Sequence, residues 1–136
     1  MNIDKFKHQH VEILTCITDL RTLVKNGIRN NADDIAKMII SMSSIIKLHL
    51  AVEDKILYPA LQSTNNASLA RMGKRFQDEM TSIARAYLDF ARKWNAASTL
   101  ASNPEEFRSD ANSVLRVLYE RMRKENTDFY PVIEAC

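Results

Sequence analysis

Four side chains in this 136-residue chain can ligate a cation and stand where their neighbours along the helical repeat are apolar: His10, His49, Glu53 and Glu125. His49 and Glu53 lie at i and i+4, so a helix presents both on one face, the spacing that aims two ligands into a helical bundle. A carboxylate inside a bundle is costly unless it is paired, hydrogen-bonded or bound to a cation. Imidazole nitrogens mixed with carboxylate oxygens suit iron, zinc or manganese. Taken singly, a histidine on a core stripe is more often hydrogen-bonded than metallated. Here the constellation carries the cation reading. His8, about 200° round the helix from His10, is read as exposed.

Two stretches repeat one motif. His49-Leu-Ala-Val-Glu53 is followed by Leu57-Tyr58-Pro59, and Arg121-Met-Arg-Lys-Glu125 by Phe129-Tyr130-Pro131, at matching offsets. With His49 aligned to Arg121, His10, 39 residues upstream, pairs with Met80, 41 residues upstream, with Ile13 and Ile83 three residues on and Ile17 and Tyr87 seven on. The pattern predicts two helical hairpins related by internal duplication. Tyr-Pro alone would mark a kink or a helix end, since proline removes a backbone donor.

The composition supports helices throughout. With 2 glycines and 3 prolines, and with Ala, Leu, Ile, Met, Lys, Arg and Glu dominant, the chain reads as all-α and, by length, as a single domain over residues 1–136. The formal charge of +2 and the acids following Arg71-Met-Gly-Lys74-Arg75 argue against nucleic acid and for a solvated face. Cys16 and Cys136 make no disulfide framework; Cys16 is read as near-core, Cys136 as simply the terminus. No signal peptide and no apolar run near the roughly 18 residues of a membrane span are read. A reduced, cytoplasmic setting follows as an expectation.

Four helices must position the ligands. The first carries Phe6, His10, Ile13, Ile17, Leu20 and Leu23 or Val24, ending near Asn26-Gly27. The second, from about Asn31–Asp34, carries Ile35, Ile39, Met42, Ile46, His49, Glu53, Ile56 or Leu57, and Ala60, before a loop at 63–66. The third carries Leu69, Met72 or Gly73, Phe76, Met80, Ile83, Tyr87, Phe90 and Trp94. A polar connection at 97–103 leads to the fourth, with Asn103 as N-cap, Pro104 at N1 and acids in the first turn. Its stripe is Phe107, Ala111, Val114, Leu118, Arg121, Glu125, Phe129 and Val132. Short connections between long helices predict an antiparallel up-down four-helix bundle.

On His10, His49-x-x-x-Glu53, Leu57-Tyr58-Pro59, and Glu125 with Phe129-Tyr130-Pro131, the chain resembles the hemerythrin family of HHE cation-binding domains, over essentially its whole length. The resemblance implies a bundle of two hairpins whose complete members enclose two carboxylate-bridged irons, and which bind or sense oxygen or nitric oxide, or store or sense iron. Against that pattern Met80 and Arg121 stand at histidine positions, so the second half-site is degenerate. Neither replaces a ligand: a guanidinium carries no free lone pair and a thioether suits hard iron poorly. Arg121 is expected to turn inward onto Glu125 or Glu53, supplying part of the missing cation's charge.

Three occupancies follow. One is a mononuclear iron or zinc site of His10, His49, Glu53 and Glu125; another is a bundle holding no metal. The third, ranked below them, is a dinuclear centre rescued by Asp54, Glu79 or Asp128. Tyr58 and Tyr130 are expected to pack with each hydroxyl on a polar partner, lining the site being the second reading, and Trp94 to be core. The functions open at this level are a metal-binding or sensing protein with about one iron or zinc per chain, and a metal-free regulatory module with a protein partner or self-association. No nucleophile with an adjacent base and no phosphate-binding loop is present, and no membrane partner is expected. Peroxide or nitric oxide chemistry would need an open position on a redox metal.

Overall fold

A computed structural model describes residues 2–135; Met1 and Cys136 lie outside the described residues. The long helices are α1 (Asp4–Lys25), α2 (Ala32–Val52), α4 (Ala67–Trp94) and α6 (Pro104–Lys124). Each packs on the next and α6 returns to α1, closing a four-helix ring. No strand occurs among the described residues. Gly27, at φ 116°, turns the chain out of α1 in a conformation that disfavours other residues.

The Tyr-Pro segments do not end their helices. After α2 the chain passes through a five-residue π turn, Glu53–Leu57, into α3 (Tyr58–Gln62). After α6 it passes through a second, Glu125–Phe129, into α7 (Tyr130–Glu134). Proline six residues after each glutamate lacks an N–H and would crowd the carbonyl four residues back. The widened turn accommodates it: Tyr58 N–H bonds to Glu53 O, and Tyr130 N–H to Glu125 O.

Each π turn inserts one residue into the register and so turns a different stripe inward. Leu57, Tyr58 and Leu61 are buried, as are Phe129, Tyr130 and Ile133. Of the alternatives Ile56 and Leu57 it is Leu57 that faces the core; Val132, expected on the stripe, is exposed, and Ala60 is half-buried. Away from these turns the stripes shift only at Val114 and Ile83, half-buried beside buried Leu115 and Ala84. The 97–103 connection contains a short helix, α5 (Ala97–Ser102), that buries Leu100. Asn103 does not cap α6 with its side chain; its amide donates to Thr99 O at 3.2 Å.

The continuous helix Ala32–Gln62 is long and apolar enough, over an 18-residue window, to meet a membrane-span criterion. That is more apolar than the sequence reading allowed. In the bundle it supplies the core residues Ile35, Ile39, Met42 and Ile46. Two apolar clusters result. One surrounds Ile17, Ile39, Tyr87 and Trp94; the other joins Phe6, Leu57, Phe76 and Phe129. Among the described residues the buried polar ones are Gln9, His10, His49, Glu53, Arg121 and Glu125, and along α1 and α2 they fall between the two clusters.

Candidate metal centre

His10 on α1 and His49 on α2 meet with their Nε2 atoms 3.2 Å apart. Glu125 Oε1 lies 2.9 Å from His10 Nε2, and Glu53 Oε1 3.1 Å from His49 Nε2. All four side chains are fully buried. The outer ring nitrogens are tied down: His10 Nδ1 is 2.9 Å from Asn126 Oδ1, and His49 Nδ1 is 2.7 Å from Gln9 Oε1. With amide oxygens facing them, the Nδ1 atoms carry the protons, and both Nε2 lone pairs point into the centre. A partner that fixes the tautomer is the usual support of a metal-binding histidine. The facing lone pairs repel unless a proton or cation lies between them.

The oxygens show the same deficit. Both oxygens of Glu53, Oε1 of Glu125 and the Tyr58 hydroxyl are buried without a hydrogen bond, a costly arrangement unless something else satisfies them. His10, His49 and Glu125 each offer a ligand atom, all within 4.8 Å of one another. The donor set therefore fits a cation.

Arg121 is inward as expected, but its partners extend beyond those foreseen. Nε lies 3.3 Å from Glu125 Oε2, Nη1 donates to Glu79 Oε2 at 2.9 Å, and Nη2 donates to the Phe76 carbonyl at 2.6 Å. The guanidinium also sits 4.4 Å from the centroid of the Phe76 ring. This reproduces the first half with altered chemistry. Gln9, just before His10, holds His49; Glu79, just before Met80, holds Arg121. Phe6 edges onto His49 at 6.3 Å as Phe76 faces Arg121. Where the first half has an amide and an imidazole, the second has a carboxylate and a guanidinium. Met80 is buried in the apolar cluster.

The other sequence expectations sort clearly. His8 is exposed and pairs with Glu12 at 3.3 Å. Trp94 is core, its indole donating to Asp110 at 2.9 Å. Cys16 is a half-buried free thiol whose pKa is raised by burial and by Asp19 and Glu12. Tyr130 finds a polar partner, 2.9 Å from His10 Nε2, whereas Tyr58 finds none. The duplication explains the difference: the counterpart of His10 opposite Tyr58 is Met80, which offers no strong acceptor. None of the three rescue residues joins the four ligands. Glu79 serves Arg121, Asp54 accepts from Gln77, and Asp128 is exposed. Gln9 and Asn126 are the contributors the sequence did not single out as part of the site, and Tyr130 takes the site-lining place that was its second reading.

Burial sets the electrostatics. It depresses His49 to about 4 against an opposing pull from Glu125. Burial, and then the charge of Glu125, raise the Glu53 carboxyl well above its usual 4.5. Burial would raise Glu125 too, but His10, Arg121 and His49 outweigh it and hold this carboxyl low. Of the two carboxyls, Glu125 is thus the one favoured to ionise and Glu53 the one favoured to keep a proton, which a cation would displace.

These shifts give a pH signature. Below 6.5 the unfolded chain protonates His49 before the folded one does, so this contribution to stability is lost as pH falls toward 4. Above 4.5 the folded chain keeps a proton on Glu53 that the unfolded chain releases, so stability is lost as pH rises. Just above 4.5 the two slopes oppose, and above 6.5 His49 no longer contributes. In chelator, the urea midpoint should therefore vary little just above 4.5 and should not rise above 6.5. With iron present it should instead rise with pH, because binding releases the Glu53 proton. A chelated midpoint that climbs through pH 7 would contradict the Glu53 assignment.

A helical bundle with a buried centre of two histidines and two carboxylates defines the class. The family model of the hemerythrin HHE cation binding domain matches residues 1–133, and the chain belongs to that family. No curated protein and no solved structure matches this chain.

Proposed function

We propose that this protein binds a single iron at His10, His49, Glu53 and Glu125 and acts as an iron-dependent sensing or regulatory module. The observation that carries the reading is the pair of facing Nε2 lone pairs, each locked inward by an amide on the far side of its ring. One cation is favoured over two because Arg121 already neutralises Glu125 on the second half-site, where neither Met80 nor Arg121 supplies a ligand.

Spacing favours iron over zinc. Ligands about 2.1 Å from a metal lie about 3.0 Å apart at right angles and about 3.4 Å apart in a tetrahedron. Of the ligand separations, 2.9 and 3.1 Å fall nearer the first and 3.2 Å lies midway. A sensing role is supported by position: the exposed residues Val11 and Leu48 adjoin His10 and His49 in sequence, so altered ligation would move surface side chains. Such a signal would pass to a separate protein partner or a second copy of the chain, in a reducing, cytoplasmic setting.

The competing reading, a metal-free interaction module, has the Arg121 fork in its favour. It leaves both oxygens of Glu53 without a hydrogen bond. Elemental analysis after purification without chelator and reconstitution with ferrous iron or zinc separates the two. About one iron per chain, lost in His49→Ala and Glu53→Ala, is the expected result. No bound metal, with stability indifferent to chelator, would leave the module reading standing.

A further inference from the structure

Tyr130 donates its hydroxyl proton to His10 Nε2 at 2.9 Å, the same lone pair that the single-iron reading assigns to the metal. Both cannot use it. His10 Nδ1 is already committed to Asn126, so the imidazole has no other acceptor to offer. Nor has the phenol room to swing away. Its ring is fully buried, lies 4.9 Å from the His10 ring and 5.9 Å from the Phe129 ring, and sits at the first residue of α7, fixed by the preceding π turn.

We infer that Tyr130 is a further metal ligand, binding ferric iron as a phenolate beside His10, His49, Glu53 and Glu125. This rests on the single-iron reading and extends its ligand set. The O–H bond breaks, an oxygen–iron bond forms, and the proton leaves to water, with no change of oxidation state when ferric iron is supplied. Phenolate oxygen is a hard donor suited to ferric iron. Tyr58, its counterpart in the duplication, is not assigned this role because it has neither His10 nor any other partner.

The test is to load the full chain with ferric nitrilotriacetate, measure bound iron by elemental analysis, and record visible absorption and resonance Raman spectra. The expected result is about one iron with a broad phenolate-to-iron charge-transfer band and tyrosinate ring modes. The band should vanish in Tyr130→Phe, which keeps the ring packing, and persist in Tyr58→Phe. Tyrosinate modes that persist in Tyr58→Phe support the assignment even if Tyr130→Phe misfolds. Bound iron without tyrosinate modes, or a band that survives Tyr130→Phe, overturns the Tyr130 assignment and leaves the single-iron reading intact. A wild type that takes up no iron overturns both.

Discussion

Glu79→Gln, Met80→His and Arg121→His together should raise bound iron from about one to about two per chain. The triple substitution copies the chemistry of Gln9, His10 and His49 onto the matching positions of the second hairpin. Each change has a separate reason. Met80→His gives the Tyr58 hydroxyl the imidazole acceptor that Tyr130 finds in His10. Arg121→His exchanges a group that cannot ligate for one that can. Glu79→Gln converts the guanidinium's counter-charge into an amide oxygen able to hold an Nδ1 proton, as Gln9 does at 2.7 Å. Arg121→His without Glu79→Gln should bind the second ion more weakly, roughly 10–100-fold by the usual cost of a lost supporting partner. Elemental analysis and competition with a chelator measure both quantities. No gain of metal in the triple variant would show that the two halves do not correspond residue for residue.

Arg121→Met should cost about 3–5 kcal/mol in chelator, the range for removing one partner of a buried ion pair. The side chain is almost wholly buried and holds Glu125, Glu79 and the Phe76 carbonyl together. Methionine fills much of the volume but leaves the ionised Glu125 without its nearby guanidinium. A drop of roughly 10–15 °C in Tm follows for a chain of this size. Glu79→Gln should be far milder, under about 1 kcal/mol, because Glu79 is 41% exposed and water screens its pairing. Thermal and urea denaturation of the two variants side by side would settle the ranking. Equal and small losses would mean that Arg121 contributes packing rather than charge.

The candidate ligands were legible because their signal is local. His49 and Glu53 share a helix face through their spacing alone, and His10 and Glu125 fall on stripes whose other members are apolar and buried. The family resemblance, residing in those same residues, is borne out by the match over 1–133. The inward turn of Arg121 was legible too, since a charge on a core stripe opposite a carboxylate has few better partners. Gln9 was missed because nothing in α1 marks it; its burial comes from α2 lying across it. Its counterpart was within reach of the sequence. Carrying the duplication one residue before His10 and Met80 pairs Gln9 with Glu79, and Gln to Glu beside His to Arg is a charge-compensated exchange.

Asn126, Tyr130 and the fate of Val132 depend on the π turns. Periodicity assumes one constant rise and rotation per residue, so a turn with an added residue rotates everything after it out of phase. Tyr-Pro signalled a disturbance without saying whether the helix stops, kinks or widens. Helical periodicity by itself determined which residues face inward, because that period belongs to the backbone and needs no partner. Which atoms those residues meet was decided only by the tertiary structure, since contacts between helices depend on how four stripes dock and on two turns that move Tyr130 to the lone pair of His10.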